Sequence, residues 1–160
     1  MIAVLQRVGR ASVSVGGERV ASIGRGLLAL VGIGEGDDRQ DIDWMVRKVP
    51  ELRLFEDAEG KMNLSLRESG GGLLLVSQFT LLADCRRGRR PSFSSAAPPE
   101  VAGPLFEELV AAFRAAGVGA ETGVFRATME VELLNDGPVT LILDSRIEEK
   151  VSRRGAPKPA

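Results

Sequence analysis

The chain contains no histidine and no tyrosine, and it has one cysteine and one tryptophan. Without histidine there is no Ser-His-Asp or Cys-His apparatus and no imidazole ligand for a metal. A single cysteine excludes an intrachain disulfide and a cysteine-based zinc site. Without tyrosine another common acid/base group is gone. No metal and no cofactor are expected. Any chemistry must come from carboxylates, Lys, Arg, hydroxyls, the one thiol, backbone amides or the substrate itself. Charge of one sign is also lacking: 21 Lys and Arg stand against 22 Asp and Glu, a net charge of −1. Such a chain is no bulk polyanion binder, and a nucleic acid would have to be met by a local patch. No apolar run approaches the ~20 residues needed to span a membrane. The first residues, MIAVLQRVGR, carry charge too early for a secretory signal. A cytoplasmic, reducing location is therefore expected, in which the Asn63-Leu64-Ser65 triplet carries no glycan.

What is present is ordinary globular material. The 160 residues are 44% apolar and 27% charged, which rules out wholesale disorder and fits one domain. A domain of this size buries roughly 68–70% of its unfolded surface and needs no staple.

Along the chain, Ile2–Arg7 alternates like a strand. Ala11–Val15, Gly16-Gly17 and Glu18–Ile23 read as a hairpin. Gly26–Gly34 is apolar without alternation, as in a strand buried on both faces. Asp37 or Asp38 can cap a helix whose face is Ile42, Met45, Val46 and Val49, with Pro50 marking its end. Leu52–Phe55 reads as a short strand and Leu73–Val76 as a buried one running into Ser77–Leu81. Asp84–Ser95 is a polar loop. A second helix starts near Pro99 or Pro104 and closes at Gly117. Glu121–Phe125, Glu130–Leu134 and Val139–Leu143 complete the strands. The expected architecture is a single α/β domain of mostly antiparallel strands, with two main helices layered on one side.

Four segments can carry chemistry. In Ser77-Gln78-Phe79-Thr80, hydroxyls and an amide crowd the end of an otherwise Leu/Val strand, where they must be satisfied or used. From spacing alone, plain hydrogen bonding to nearby backbone is the commoner explanation. Asn135-Asp136-Gly137-Pro138-Val139-Thr140 reads first as a hairpin turn. A cis Gly-Pro bond, found in only ~5–6% of such bonds, would point two carbonyls the same way and suit an ammonium group. Arg86, Arg87, Arg89 and Arg90 place four guanidinium groups in five positions. Such forks grip phosphate; the alternatives are a solvated loop or the chain's general bias of 17 Arg against 4 Lys. Cys85 lies beside these arginines but lacks a base or resolving partner, so a passive thiol is expected. Gly32–Gly36 fits neither the dinucleotide fingerprint nor the phosphate-loop pattern.

Taken in order, MIAVLQRV, Gly26–Gly36, Lys61-Met-Asn-Leu-Ser65, Ser77-Gln-Phe-Thr-Leu81, Gly88-Arg-Arg-Pro-Ser-Phe93 and Asn135–Thr140 resemble the D-aminoacyl-tRNA deacylase (D-tyrosyl-tRNA deacylase) family. The resemblance runs from residue 1 to about Arg146, taken as one domain of residues 1–146. Residues 147–160 form a charged, Pro-ended extension expected to be frayed. The resemblance implies a three-layer α/β/β fold. It also implies a cytoplasmic homodimer that hydrolyses the ester between a D-amino acid and the 3′ end of tRNA, a chirality proofreading step. It places Ser77, Gln78, Phe79 and Thr80 along the ester. It makes Gly137-Pro138 a cis pair reaching into the partner subunit's site, steadied by Arg7. Cys85 replaces an expected small polar residue such as Thr, at a position not assigned to catalysis.

Two chemistries are open. Thr80 can act as nucleophile, though no base stands near it in sequence. Alternatively the 2′-hydroxyl of the terminal adenosine assists, while backbone N–H groups around Phe79 and Thr80 stabilise the oxyanion. If two anchors fix the amino group and carbonyl, an L side chain meets backbone while glycine, with none, passes. The Arg86–Arg90 loop is the candidate contact for the tRNA acceptor end. Two rival classes are a non-enzymatic RNA-binding module and a generic Ser/Thr esterase. Scarce stacking aromatics oppose the first, and the missing Gly-x-Ser-x-Gly elbow and histidine oppose the second.

Overall fold

In the computed structural model, which describes residues 1–146, the alternating N-terminal segment is one unbroken strand, β1 (Ile2–Val15). The predicted tail at 147–160 lies outside the described residues. β1 turns at Gly16-Gly17, both with positive φ (58° and 83°) as a tight hairpin requires. It then pairs antiparallel with β2 (Glu18–Ile23). Next comes β3 (Gly26–Gly32), antiparallel to the first half of β1. Helix α1 (Arg39–Lys48) is capped by Asp38, whose carboxylate accepts from Gln40 N, while Asp41 accepts from Asp38 N. A small antiparallel pair follows, β4 (Phe55–Glu56) and β5 (Met62–Leu64), and then one turn of helix, α2 (Leu66–Ser69).

β6 (Gly72–Ser77) pairs parallel to β3. The two backbones meet so closely at Gly26 that a Cβ there would lie 1.9 Å from Gly72 O, so only glycine fits. Helix α3 (Pro99–Ala115) starts at Pro99 and carries Pro104 within it, which settles the choice between the two prolines. β7 (Ala120–Thr122) pairs parallel to β6. The last element, β8 (Glu130–Asp144), runs antiparallel along the whole of β1. Since β8 occupies one edge of β1, β2 and β3 share the other.

The layers follow from side-chain parity. Leu27, Ala29, Val31, Leu73 and Leu75 face a core closed by Ile42, Met45, Leu109 and Phe113 of the helices. Leu28, Leu74 and Val76 point the opposite way, against Val8, Ala11, Val13 and Ala21. So β3 and β6 are buried on both faces, which is why their sequences are unbroken apolar runs. On β1, Ala3 and Leu5 face the helix-side core while Ala11 and Val13 face the other. Irregular register between Gln6 and Arg10 rotates the strand between the two halves. The result is helices, a central sheet, and a second β layer made by the far half of β1, β2 and the near half of β8. That is the expected α/β/β order. The start of β1 is tied to the end of β8 by the Met1 ammonium, which is buried 2.7 Å from Asp37 and donates to Ser145 Oγ at 2.9 Å.

Three expectations change. Leu52–Phe55 is strand only at Phe55, because Leu54 N turns back to Leu52 O. Glu121–Phe125 shrinks to Ala120–Thr122, and the chain then turns at Val124–Ala127. The larger correction concerns 130–143. Glu130–Leu134 and Val139–Leu143 are not the arms of a hairpin but two stretches of the one strand β8. Gln6 faces Thr140 and Val8 faces Asn135. Between those pairs β1 contributes Arg7 alone and β8 contributes Asp136–Val139, so Asp136-Gly137-Pro138-Val139 leaves the sheet as an excursion. Among the described residues no helix is long and apolar enough to cross a membrane.

Candidate active site

Beyond Ser77 the chain leaves β6, although Gln78 N still donates to Val31 O at 2.8 Å. The sheet therefore delivers this polar segment at a fixed place. Phe79–Leu82 then forms a 3-10 turn, closed by Leu81 N to Gln78 O and Ala83 N to Thr80 O. The first N–H groups of such a turn, those of Phe79 and Thr80, have no acceptor within it.

Ser77, Gln78 and Phe79 form one wall of a cleft of about 650 Å³. Phe93 and Ala96–Pro99 close a second side, and Phe125–Ala127 with Met129 a third. The rings of Phe79 and Phe93 meet edge to face at 5.0 Å. Phe79 remains 53% exposed, an apolar surface open to a ligand. Thr80 is exposed and does not line the cleft, and its Oγ1 accepts from Gln78 Nε2. Among the described residues no carboxylate, lysine or cysteine lines this cleft, and Arg126 is its one charged lining residue. The described lining thus offers Ser77 and Thr80 no side-chain base.

The other predicted pair lies elsewhere in the chain. The Gly137-Pro138 bond is cis, and Gly137 has φ of 118°. Neither residue lines the cleft of its own chain. Arg7 packs beneath them, 4% exposed. Its Nη1 donates to Leu54 O at 2.7 Å, and its Nη2 lies 3.9 Å from Glu56. Its Nε comes within 3.1 Å of Asp136 Oδ2 as an ion pair, but without the alignment of a hydrogen bond. A Cβ on Gly137 would meet Arg7 Nη2 at 3.1 Å and Val139 Cγ2 at 2.8 Å. The excursion thus rests directly on the Arg7 guanidinium.

The basic loop is closed at its base by paired backbone bonds between Asp84 and Ser92. Arg86 turns back onto Asp84, with Nε to Oδ1 at 2.8 Å and Nη2 to Oδ2 at 2.7 Å. The hydrogen-bonded Arg86 side chain holds the Asp84 carboxyl far below its ordinary range. Arg86 is therefore already occupied. Arg87, Arg89 and Arg90 are exposed, and no acidic group among the described residues pairs with them. Cys85 is free and exposed, outside the cleft.

The sequence assigned no role to three residues that matter here. Phe93, within the Arg-Pro-Ser-Phe run, carries no local mark of a cleft wall. Arg126 gave no local signal, since only the fold shows that its neighbours are apolar. Asn135 stood within the Asn-Asp-Gly-Pro run. Its Nδ2 donates to Arg7 O and to Val139 O, bracing both sides of the excursion.

The sequence model of the family described as D-Tyr-tRNA(Tyr) deacylase matches residues 4–144. A protein of Desulfitobacterium hafniense named D-aminoacyl-tRNA deacylase is 60% identical over 145 residues, covering 91% of this chain and 97% of its own. One of the same name from Chlorobaculum tepidum is 58% identical over 146 residues, covering 91% and 97%. Among solved structures, one titled c-Myc DNA Unwinding Element Binding Protein superposes with a TM-score of 0.85 at 41% identity. It covers 90% of this chain and 98% of its own. A second, titled as a probable eukaryotic D-amino acid tRNA deacylase, has a TM-score of 0.77 at 18% identity, a likeness of fold, covering 89% and 97%.

Proposed function

The chain belongs to the D-Tyr-tRNA(Tyr) deacylase family, and from that premise we propose how its cleft works. It is a hydrolase that cleaves the carboxylic ester of D-aminoacyl-tRNA, so an aminoacylated tRNA is its substrate. The observation that carries the mechanism is the strand end Ser77-Gln78-Phe79 on a cleft that, among the described residues, has no carboxylate, lysine or cysteine to act as a base.

The aminoacyl ester binds at the Phe79 edge of the cleft, with its carbonyl against the N–H groups of Phe79 and of the adjoining Thr80, the first two of the 3-10 turn. Water attacks the carbonyl carbon, and the N–H groups stabilise the resulting oxyanion. One such donor contributes on the order of 10²–10³ in rate. The bond to the 3′ oxygen then breaks. A proton from the attacking water passes through the neighbouring 2′-hydroxyl to the departing 3′ oxygen. The products are the free D-amino acid and tRNA with its terminal hydroxyl restored. Because the ester is already reactive, the enzyme supplies positioning and charge stabilisation, and each ~1.4 kcal/mol of it is worth tenfold. Thr80 serves through its backbone. The absence of a base in the cleft also speaks against the generic esterase.

Chirality comes from a second anchor. Two copies of the chain associate, and the Gly137-Pro138 excursion of one reaches the cleft of the other, where its carbonyls hold the substrate ammonium. That arrangement gives the excursion a role which its place outside its own cleft leaves open. With ammonium and carbonyl both fixed, an L side chain meets backbone, while D-residues and glycine do not. Arg7 steadies the excursion. Arg87, Arg89 and Arg90 meet phosphates of the acceptor end, and the enzyme works in the cytoplasm.

Release of amino acid from D-tyrosyl-tRNA, L-tyrosyl-tRNA and glycyl-tRNA, measured in parallel with EDTA present, tests the reading. Fast release from the D and glycyl substrates with the L form spared supports it. Equal release from D and L removes the chiral account, and resistance of glycyl-tRNA removes steric rejection.

A further inference from the structure

Among the described residues, Arg126 is the one charged residue lining a cleft otherwise built from Phe, Ala, Pro, Met, Val, Ile, Ser and Gln. It is exposed, and no carboxylate among the described residues pairs with it. It is also the one non-glycine residue described with positive φ, at 64°. Its turn is closed by Ala127 N to Val124 O at 3.2 Å. The residues flanking that turn are closely packed. The Phe125 ring lies 6.2 Å from that of Phe106 on α3, and a Cβ on Gly103 would sit 3.1 Å from it. On the other side, a Cβ on Gly123 would come within 2.6 Å of Met129 Sδ. A long cation is thus held in an unusual backbone conformation at an apolar cleft, on a loop anchored at both ends.

We propose that Arg126 binds a phosphodiester of the nucleotide chain carrying the ester, beside the wall formed by Ser77–Phe79. This rests on the deacylase reading above. A guanidinium offers a planar fork that matches two phosphate oxygens. The carboxylate of an acidic amino-acid side chain has the same chemistry. The phosphate is favoured because every tRNA substrate brings one, whatever amino acid it carries. The basic loop also runs into the cleft wall at Phe93, so an anionic strand that extends from the cleft past Phe93 approaches Arg87, Arg89 and Arg90 as well.

The test compares wild type, Arg126→Gly and Arg126→Lys on three substrates: D-tyrosyl-tRNA, D-tyrosyl-adenosine (which has no phosphate) and D-aspartyl-tRNA. Glycine accepts the positive φ, so R126G keeps the turn, and a thermal melt checks it. R126G is expected to raise KM for both tRNA substrates about tenfold with kcat little changed, as loss of one charge-assisted contact does. D-tyrosyl-adenosine is unaffected. The slope of log KM against log salt falls by about 0.7, the share of one single-strand phosphate, and R126K recovers part of the loss. Equal losses on D-tyrosyl-adenosine and the tRNA substrates would overturn the proposal in favour of a structural role. A loss confined to D-aspartyl-tRNA would assign Arg126 to the amino-acid side chain instead. An unchanged R126G removes only this proposal, whereas no turnover by wild type on any D-substrate removes the deacylase reading itself.

Discussion

Asn135 and Arg7 are joined across the sheet where it opens: Asn135 Nδ2 donates to Arg7 O at 3.0 Å and, from the same nitrogen, to Val139 O at 3.2 Å. Thr140 Oγ1 donates weakly to Asn135 Oδ1 at 3.4 Å. One carboxamide therefore braces both ends of the Asp136–Val139 excursion, while the Arg7 guanidinium supports it from beneath.

Asn135→Asp keeps the shape, removes both donors and sets a carboxylate against two carbonyl oxygens. The expected cost is about 1–3 kcal/mol, that of part-buried groups left without partners. A lower Tm and a smaller ratio of D to L turnover check it. A variant with wild-type Tm and selectivity would show that the brace is dispensable.

The arginine loop separates by partner. Arg86 is bound to Asp84, so Arg86→Ala leaves the salt dependence of tRNA binding nearly unchanged. The triple change of Arg87, Arg89 and Arg90 to Ala flattens the slope of log Kd against log salt by about 2, at roughly 0.7 for each phosphate contact. A titration at several salt concentrations distinguishes the two. Equal slopes in all variants would place the tRNA elsewhere.

Acid should weaken the fold through named carboxylates. Asp84 is held below its ordinary 3.8 by the Arg86 side chain, and Asp144 below 3.8 by the Arg146 side chain. Asp57 is lowered by the Lys61 N–H, and Glu68 falls below its ordinary 4.5 through the Ser65 N–H. Each folded value is depressed, so its contribution is complete above the ordinary value and is lost as pH falls through the folded one. Most of these groups are exposed, so each share is small. Stability measured by denaturant should therefore hold near neutrality and decline below about pH 4. With no histidine in the chain, no imidazole-type loss occurs near pH 6.5. A sharp stability change there would contradict this picture.

Much of the scaffold is legible without coordinates, because it depends on local chemistry. Gly16-Gly17 specifies a tight hairpin, Asp38 a helix start, and the apolar run from Gly26 a strand covered on both faces. Asp136-Gly137-Pro138 shows where such reading stops. Turn residues between two strand-like runs have the same local signature whether the chain reverses or only leaves its sheet. The difference is set by β1, long enough to pair with both runs in one direction. The site divides similarly. Ser77 and Gln78 stand out as polar groups ending an apolar strand, and with Phe79 they line the cleft. Thr80, equally conspicuous, stands just outside the lining, next to Phe79 in the 3-10 turn. Arg126 is invisible in sequence because its meaning comes from neighbours far along the chain, and Arg86 loses its apparent freedom to Asp84 two residues before it.

The central claim is that the ester is hydrolysed without a side-chain base, the substrate's own 2′-hydroxyl moving the proton. The most direct measurement is single-turnover release from D-tyrosyl-tRNA ending in adenosine or in 2′-deoxyadenosine, with wild type and Thr80→Ala. Thr80→Ala is expected to keep most of its rate on the normal substrate, and both enzymes to lose about two or more orders of magnitude on the deoxy substrate while still binding it. Full turnover of the deoxy substrate by wild type, together with its loss in Thr80→Ala, would contradict the account and make the Thr80 hydroxyl the nucleophile.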